Sequence, residues 1–303
     1  MAGRRYNRKF CTQSVDNAHA NDPIPPRANR LGHLAVTTTD LPSYERPPVI
    51  EVVCGLQFKA LDLMMTHLGL LWQEFQNDYP SVNEVAPLRP SIESFGEERS
   101  VKLALSDVPP MARTWFVHRD ETAIVQVQRD RFLHNWKKAR DSDNYPRYSR
   151  VVELFRDRLA TFESFLQNAN LGELCPTQYE MTYVNHIEQG HGWNSMAEFG
   201  NLFPGFMRGH RKSGFLPDVE SCNMRAAYRL PGRMGRLHAT IRTTTRDDGK
   251  AVIVLDLTAR GFPGDDSREA MQTWFDLARE WIVRGFTDLT SEDVQKKEWG
   301  RTL

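Results

Sequence analysis

Two stretches of this chain, 48–166 and 177–287, carry the same succession of hydrophobic periodicities. Each opens with a strand-like run and passes into a helical stripe. Three short strand-like runs follow, separated by turn residues, and a long amphipathic helix closes the set. Strands that follow one another through short turns pair antiparallel, and helices with a single apolar stripe must cover one face of the resulting sheet. The expected fold is therefore α+β, with internally duplicated βαβββα units and antiparallel sheets bearing helices on one face. The predicted organisation is a flexible N-terminal arm at 1–46, a first unit at 47–170, and a second unit with a C-terminal helix at 171–303.

In the first unit Pro47-Pro48 sets an extended entry to a strand over 49–58. Leu61, Met64, Leu68, Leu71, Trp72, Phe75 and Tyr79 recur at helical spacing, and Tyr79-Pro80 ends that helix. Strands are expected over 101–106, 113–118 and 122–129, then a helix burying Tyr148, Val151, Phe155, Leu159 and Phe162. The second unit predicts a strand over 178–187, a short helix over 193–203, and strands over 224–230, 236–245 and 252–260. Ser267 is the expected N-cap of the last long helix.

Lys+Arg and Asp+Glu balance at 39 each, so the chain as a whole has no charge to draw it to nucleic acid or an acidic membrane. No apolar run reaches the roughly 18 residues of a membrane helix, and no apolar segment follows the basic start, so no membrane contact is expected. Cys11, Cys54, Cys175 and Cys222 form no CxxC, which predicts reduced thiols in a cytoplasmic protein. His186 and His191 lack a third ligand at metal spacing, and no nucleophile elbow or phosphate loop is present. No metal, cofactor or catalytic residue is expected.

Two clusters stand out as ligand or partner sites. At the predicted strand end after Gln128, Arg129 and Arg131 could clamp a carboxylate or phosphate, with Asn135 and Trp136 beside them. In the second unit, period-2 alternation puts Tyr179, Met181, Tyr183 and Asn185 on one strand face, and Tyr183 with Asn185 could complete a polar site at the seam between units. A separate basic loop, with Arg208, His210, Arg211 and Lys212 between glycines and near Phe206 and Phe215, has the composition of a phosphate or single-strand contact.

The chain resembles a sporadically distributed, uncharacterised family of bacterial and archaeal proteins. The resemblance rests on the opening Pro47-Pro48-Val49-Ile50-Glu51, the Tyr79-Pro80 helix end, a strand running into Asn-Trp (Arg131, Phe132, Asn135, Trp136), the Tyr183-x-Asn185 strand and Phe286 in the last long helix. Where that family has Leu-Arg before Tyr-x-Asn, this chain has Met181-Thr182, so no role of that Arg transfers. The family's patchy occurrence implies cargo of phage-defence or mobile-element systems. The function expected on these grounds is a non-enzymatic interaction or sensor protein that binds a protein partner or itself. The alternatives are nucleic-acid binding through the basic loop and arm, and a small-ligand or enzyme site at the seam.

Overall fold

The structure, a computed structural model, describes residues 41–89, 91–95, 111–206, 215 and 219–302. Its centre is an antiparallel pair, β1 (Val49–Phe58) and β6 (Pro176–Glu188), one strand from each unit. On the outer side of β1 lie β5 (Arg131–Lys137), β4 (Ala123–Gln128) and β3 (Arg113–Val117) in that order. On the outer side of β6 lie β9 (Ala251–Gly261), β8 (Arg236–Thr245) and β7 (Asn223–Arg229). The two wings have the same topology: first strand at the centre, last strand next to it, the others outward. Strand β2 (Ser81–Val85) extends the first wing at its edge, giving nine strands in one sheet among the described residues, all antiparallel. The duplicated order of elements read from the periodicities is thus realised as one continuous sheet, and Asp40–Leu303 clusters as one compact unit.

The helices cover one face. α2 (Arg147–Asn168) packs on β5 and β1, and α4 (Arg268–Leu289) packs on β9 and β6, the corresponding strands. Their apolar stripes meet the inward residues of the central strands: Phe132 stacks on Phe162 at 5.2 Å, and Tyr179 lies 5.6 Å from Trp274. The helices also meet each other, with Phe155 and Phe275 edge to face at 5.2 Å and Tyr148 Oη donating to Asp276 at 2.6 Å. α1 (Met65–Phe75) covers the outer part of the first wing. Its counterpart is a 3₁₀ turn followed by α3 (Phe199–Leu202), and a short helix α5 (Glu292–Lys297) follows α4. Ser267 caps α4 by accepting from the Ala270 amide. At the second wing's corner the backbones of Met234–Gly235 and Gly261 touch. A Cβ on Gly261 would fall 1.8 Å from the Met234 carbonyl oxygen, so only glycine fits there.

Three expectations are corrected. The stripe from Leu61 to Tyr79 is helical only over Met65–Phe75, because Phe58 and Leu61 donate to the carbonyls of Asp130 and Arg129 and hold the chain extended. The strand expected over 122–129 is present as β4, but it is followed by a further strand, β5 at 131–137, that was not expected. Gln128 and Arg131 pair across a tight Arg129-Asp130 turn, and polar residues on one side of β5 masked its alternation. Cys175 is disulfide-bonded, against the expectation of reduced thiols, while Cys54 and Cys222 are free; chain spacing says nothing of which sulfurs meet in space. The strand expected at 101–106 and the arm at 1–40 lie outside the described residues. Among the described residues no helix is long and apolar enough to cross a membrane.

Candidate functional site

The sheet divides the seam residues between its two faces. Trp136, Tyr183 and Asn185 face the helices, on the same side as Val52, Cys54 and Leu56. Arg131 and Asn135 are register neighbours of Gln57 and Val53 and face the other way. Arg129 sits in the β4–β5 turn, where its Nε donates to the Leu63 carbonyl at 2.9 Å. The six therefore do not converge on one pocket, because adjacent strand residues point to opposite sides. Arg208, His210, Arg211 and Lys212 lie outside the described residues.

The face away from the helices is polar and yet covered. Arg113, Gln126, Asn135 and Glu51 form a relay across four strands: Arg113 donates to Gln126 at 2.7 Å, Gln126 to Asn135 at 2.6 Å and Asn135 to Glu51 at 2.5 Å. Burial raises the Glu51 carboxyl above its ordinary pKa, and the hydrogen bond from Asn135 opposes the shift. Arg131 is 4% exposed and Gln178 1%, although among the described residues no helix covers this side.

What covers them is a strap formed by residues 86–89 and 91–95, which leaves edge strand β2 and runs across the sheet. Leu88 lies over β4, where its amide donates to Gln128 Oε1 and its carbonyl accepts from Gln128 Nε2, both at 3.0 Å. The Arg89 carbonyl accepts from Arg131 of β5 at 3.3 Å. Ser91 sits over the centre, its carbonyl accepting from Gln57 of β1 at 3.4 Å and Gln178 of β6 at 2.5 Å. Gln178 also accepts from the Glu93 amide at 2.7 Å. The Glu93 carboxylate reaches β8, 2.6 Å from Arg236 Nη1 and 2.5 Å from His238 Nε2. Phe95 ends the track beneath Arg236 and Arg229, 4.3 and 5.7 Å from its ring.

Seven strands, β4 to β7 in sheet order, are thus crossed between Leu88 and Phe95. Six interstrand spacings of ~4.8 Å make ~29 Å, and seven residues span at most ~25 Å. The main chain alone does not cover that distance, and the side chains of Glu93, Arg236 and Arg229 make up the difference at the far end. Two features define how it is held. Glutamine amides read its main chain, Gln128 and Gln178 each engaging one N–H and one C=O. One acid and one aromatic ring anchor its far end. Burial of Glu93 would raise its pKa, but hydrogen bonds and charge from His238 and Arg236 outweigh burial and hold the carboxyl below its usual range.

The positive charge of this face is largely neutralised within the protein. Arg260 pairs with Glu180, Arg242 with Asp256, and Arg246 with Glu188 and Asp248. No group of His, Cys, Asp and Glu among the described residues could hold a metal ion. The strap was missed by sequence reading: a proline-containing segment without periodicity looks like a connection. The surplus of glutamines on strands (Gln57, Gln126, Gln128, Gln178) was the signal that could have marked the face it covers.

No family model matches the chain, and no curated protein matches it. Among solved structures, the crystal structure of DynU16, from the dynemicin biosynthetic locus, is 12% identical over 60% of this chain and 70% of its own, with a TM-score of 0.23.

Proposed function

We propose that this is an interaction protein that binds an extended polypeptide of a partner across the polar face of its sheet, with its own strap as the resident occupant. The observation that carries this reading is the pair of glutamines, Gln128 and Gln178, each bonded to both an N–H and a C=O of the strap's main chain. Side-chain amides that read a main chain accept many sequences, while the Glu93 and Phe95 anchor positions impose a preference for an acid followed two residues later by an aromatic ring. Such a module fits an accessory role in a defence or mobile-element system, where a partner's segment takes the strap's place. Co-purification with the products of neighbouring genes tests that wider role.

The face itself is tested with a labelled peptide of the strap sequence, residues 87–95. In a variant whose residues 86–95 are replaced by a Gly/Ser linker of equal length, fluorescence polarisation should show saturable binding. The intact chain should bind far more weakly, because its own strap competes at high effective concentration. Gln128→Ala with Gln178→Ala should weaken binding about 1,000-fold, at roughly 1 kcal/mol for each of the four lost hydrogen bonds. A folded linker variant that does not bind the peptide overturns the proposal.

A further inference from the structure

On the opposite side of the central strands, between the start of α2 and the middle of α4, lies a cavity of about 240 Å³. Its floor is Tyr183 and Asn185 of β6, and its walls include Tyr145, Tyr148, Arg279 and Phe286. Residues 41–44 lie along its rim. Five aromatic rings and the aliphatic side chains of Ile282 and Val283 make most of this space apolar.

The polar groups within it are few and incompletely matched. The Tyr145 and Tyr183 hydroxyls bond each other at 2.8 Å. The Asn185 amide donates to the Leu255 carbonyl at 3.0 Å, and its own oxygen accepts no hydrogen bond from the described residues. The Arg279 guanidinium stands 4.8 Å over the Tyr148 ring and has neither a carboxylate partner nor a hydrogen bond among the described residues. The neighbouring acid, Asp276, is taken by Tyr148 Oη at 2.6 Å and Gln272 Nε2 at 3.0 Å. The other cation at the rim, Arg147, donates to the Tyr44 carbonyl at 3.1 Å and adds to the positive side. A partly buried guanidinium facing an apolar cavity without a counter-charge is unfavourable, and an anion there would relieve it.

Size narrows the ligand. Pockets for drug-sized ligands run from ~300 to ~1,000 Å³, so nucleotides and dinucleotide cofactors are excluded here, and one ring with a short side chain fits. We propose that the seam cavity binds a small aromatic carboxylic acid, its carboxylate on the Arg279 guanidinium and its ring against Phe286 and the Tyr145–Tyr183 pair. This site lies on the helix face of the sheet and does not depend on whether the strap face binds a partner.

The test uses the full chain with its strap intact. Benzoate, phenylacetate, 3-phenylpropionate and 3-(4-hydroxyphenyl)propionate are titrated calorimetrically, each beside its primary amide, with acetate and inorganic phosphate as simple anions. At least one aromatic acid should bind, raise the melting temperature, and exceed its amide and both simple anions in affinity by 10-fold or more. Arg279→Gln should remove that preference and leave binding of the amide unchanged, while Arg225→Gln on the sheet's far wing should alter neither. Three results would each overturn the proposal: no acid in the series binding, acids and amides binding alike, or acetate and phosphate binding as well as the aromatic acids. The acid–amide comparison needs no variant, so poor folding of Arg279→Gln leaves the proposal falsifiable.

Discussion

Asn135 and Trp136 are neighbours in sequence and end on opposite faces of the sheet, one in the Arg113–Gln126–Asn135–Glu51 relay, the other 5.4 Å from Tyr145 under the helices. The alternation of β6 was legible, and Tyr179, Met181 and Tyr183 do share the helix side. What was not legible was that 131–137 is itself a strand, and without that the six seam residues looked like one cluster. The same strand carries His134, fully buried, its Nε2 3.3 Å from Tyr79 Oη and its Nδ1 without a partner. Burial, helped by the charge of Arg158, pushes its pKa down to about 3. The sign follows: the unfolded ring, with a pKa near ~6.5, takes up a proton that the folded ring refuses. This contribution to stability is present above pH ~6.5 and is lost as pH falls from there toward 3. Between pH 7 and 5 the wild type should lose about 2 kcal/mol more than His134→Leu, measured by urea unfolding at each pH. Parallel pH slopes would show that the ring is protonated in the fold.

At the scale of elements, the long helices were readable because a stripe at 3.6-residue spacing is a property of a few adjacent turns. Their mutual contact was not. Tyr148 of α2 donates to Asp276 of α4 across 128 residues of chain, and Arg156 reaches Gln272 of the same helix. A hydrogen bond to a charged, partly buried carboxylate contributes roughly 1.5–3 kcal/mol. Tyr148→Phe should therefore destabilise the protein by about 2 kcal/mol in chemical denaturation without changing its far-UV circular dichroism. A loss below about 0.5 kcal/mol would show that α2 and α4 are joined by their apolar contacts alone. The strap is the element that periodicity could least reveal. It has no repeat of its own, and its partners stand from 34 to 169 residues away.

For the whole molecule, the equivalent wings meet along β1 and β6, and each wing's long helix rests beside the same seam. A unit cut from its partner would expose the hydrogen-bonding edge of its central strand and the apolar flank of its helix. Residues 41–170 and 171–303 expressed singly should each fail to show a cooperative thermal transition, and co-expression should restore one. Cooperative melting of either piece alone would mean that the duplicated units are independent domains. The edge strands left in the intact sheet are β2 and β7, and β7 carries Arg225 and Arg229 on its exposed length, which discourages edge pairing with a second copy.

Local periodicity was enough to establish the long helices, the strands of the second wing, the alternation of β6 and the cap of α4, because each depends on residues a few positions apart; β2 and β5 were not readable in this way. The path of the strap, the separation of Arg131 and Asn135 from Tyr183, and the unmatched charge of Arg279 were settled only by tertiary structure. Each is a relation between groups that the chain brings together from distant positions, and spacing along a sequence contains no measure of that distance.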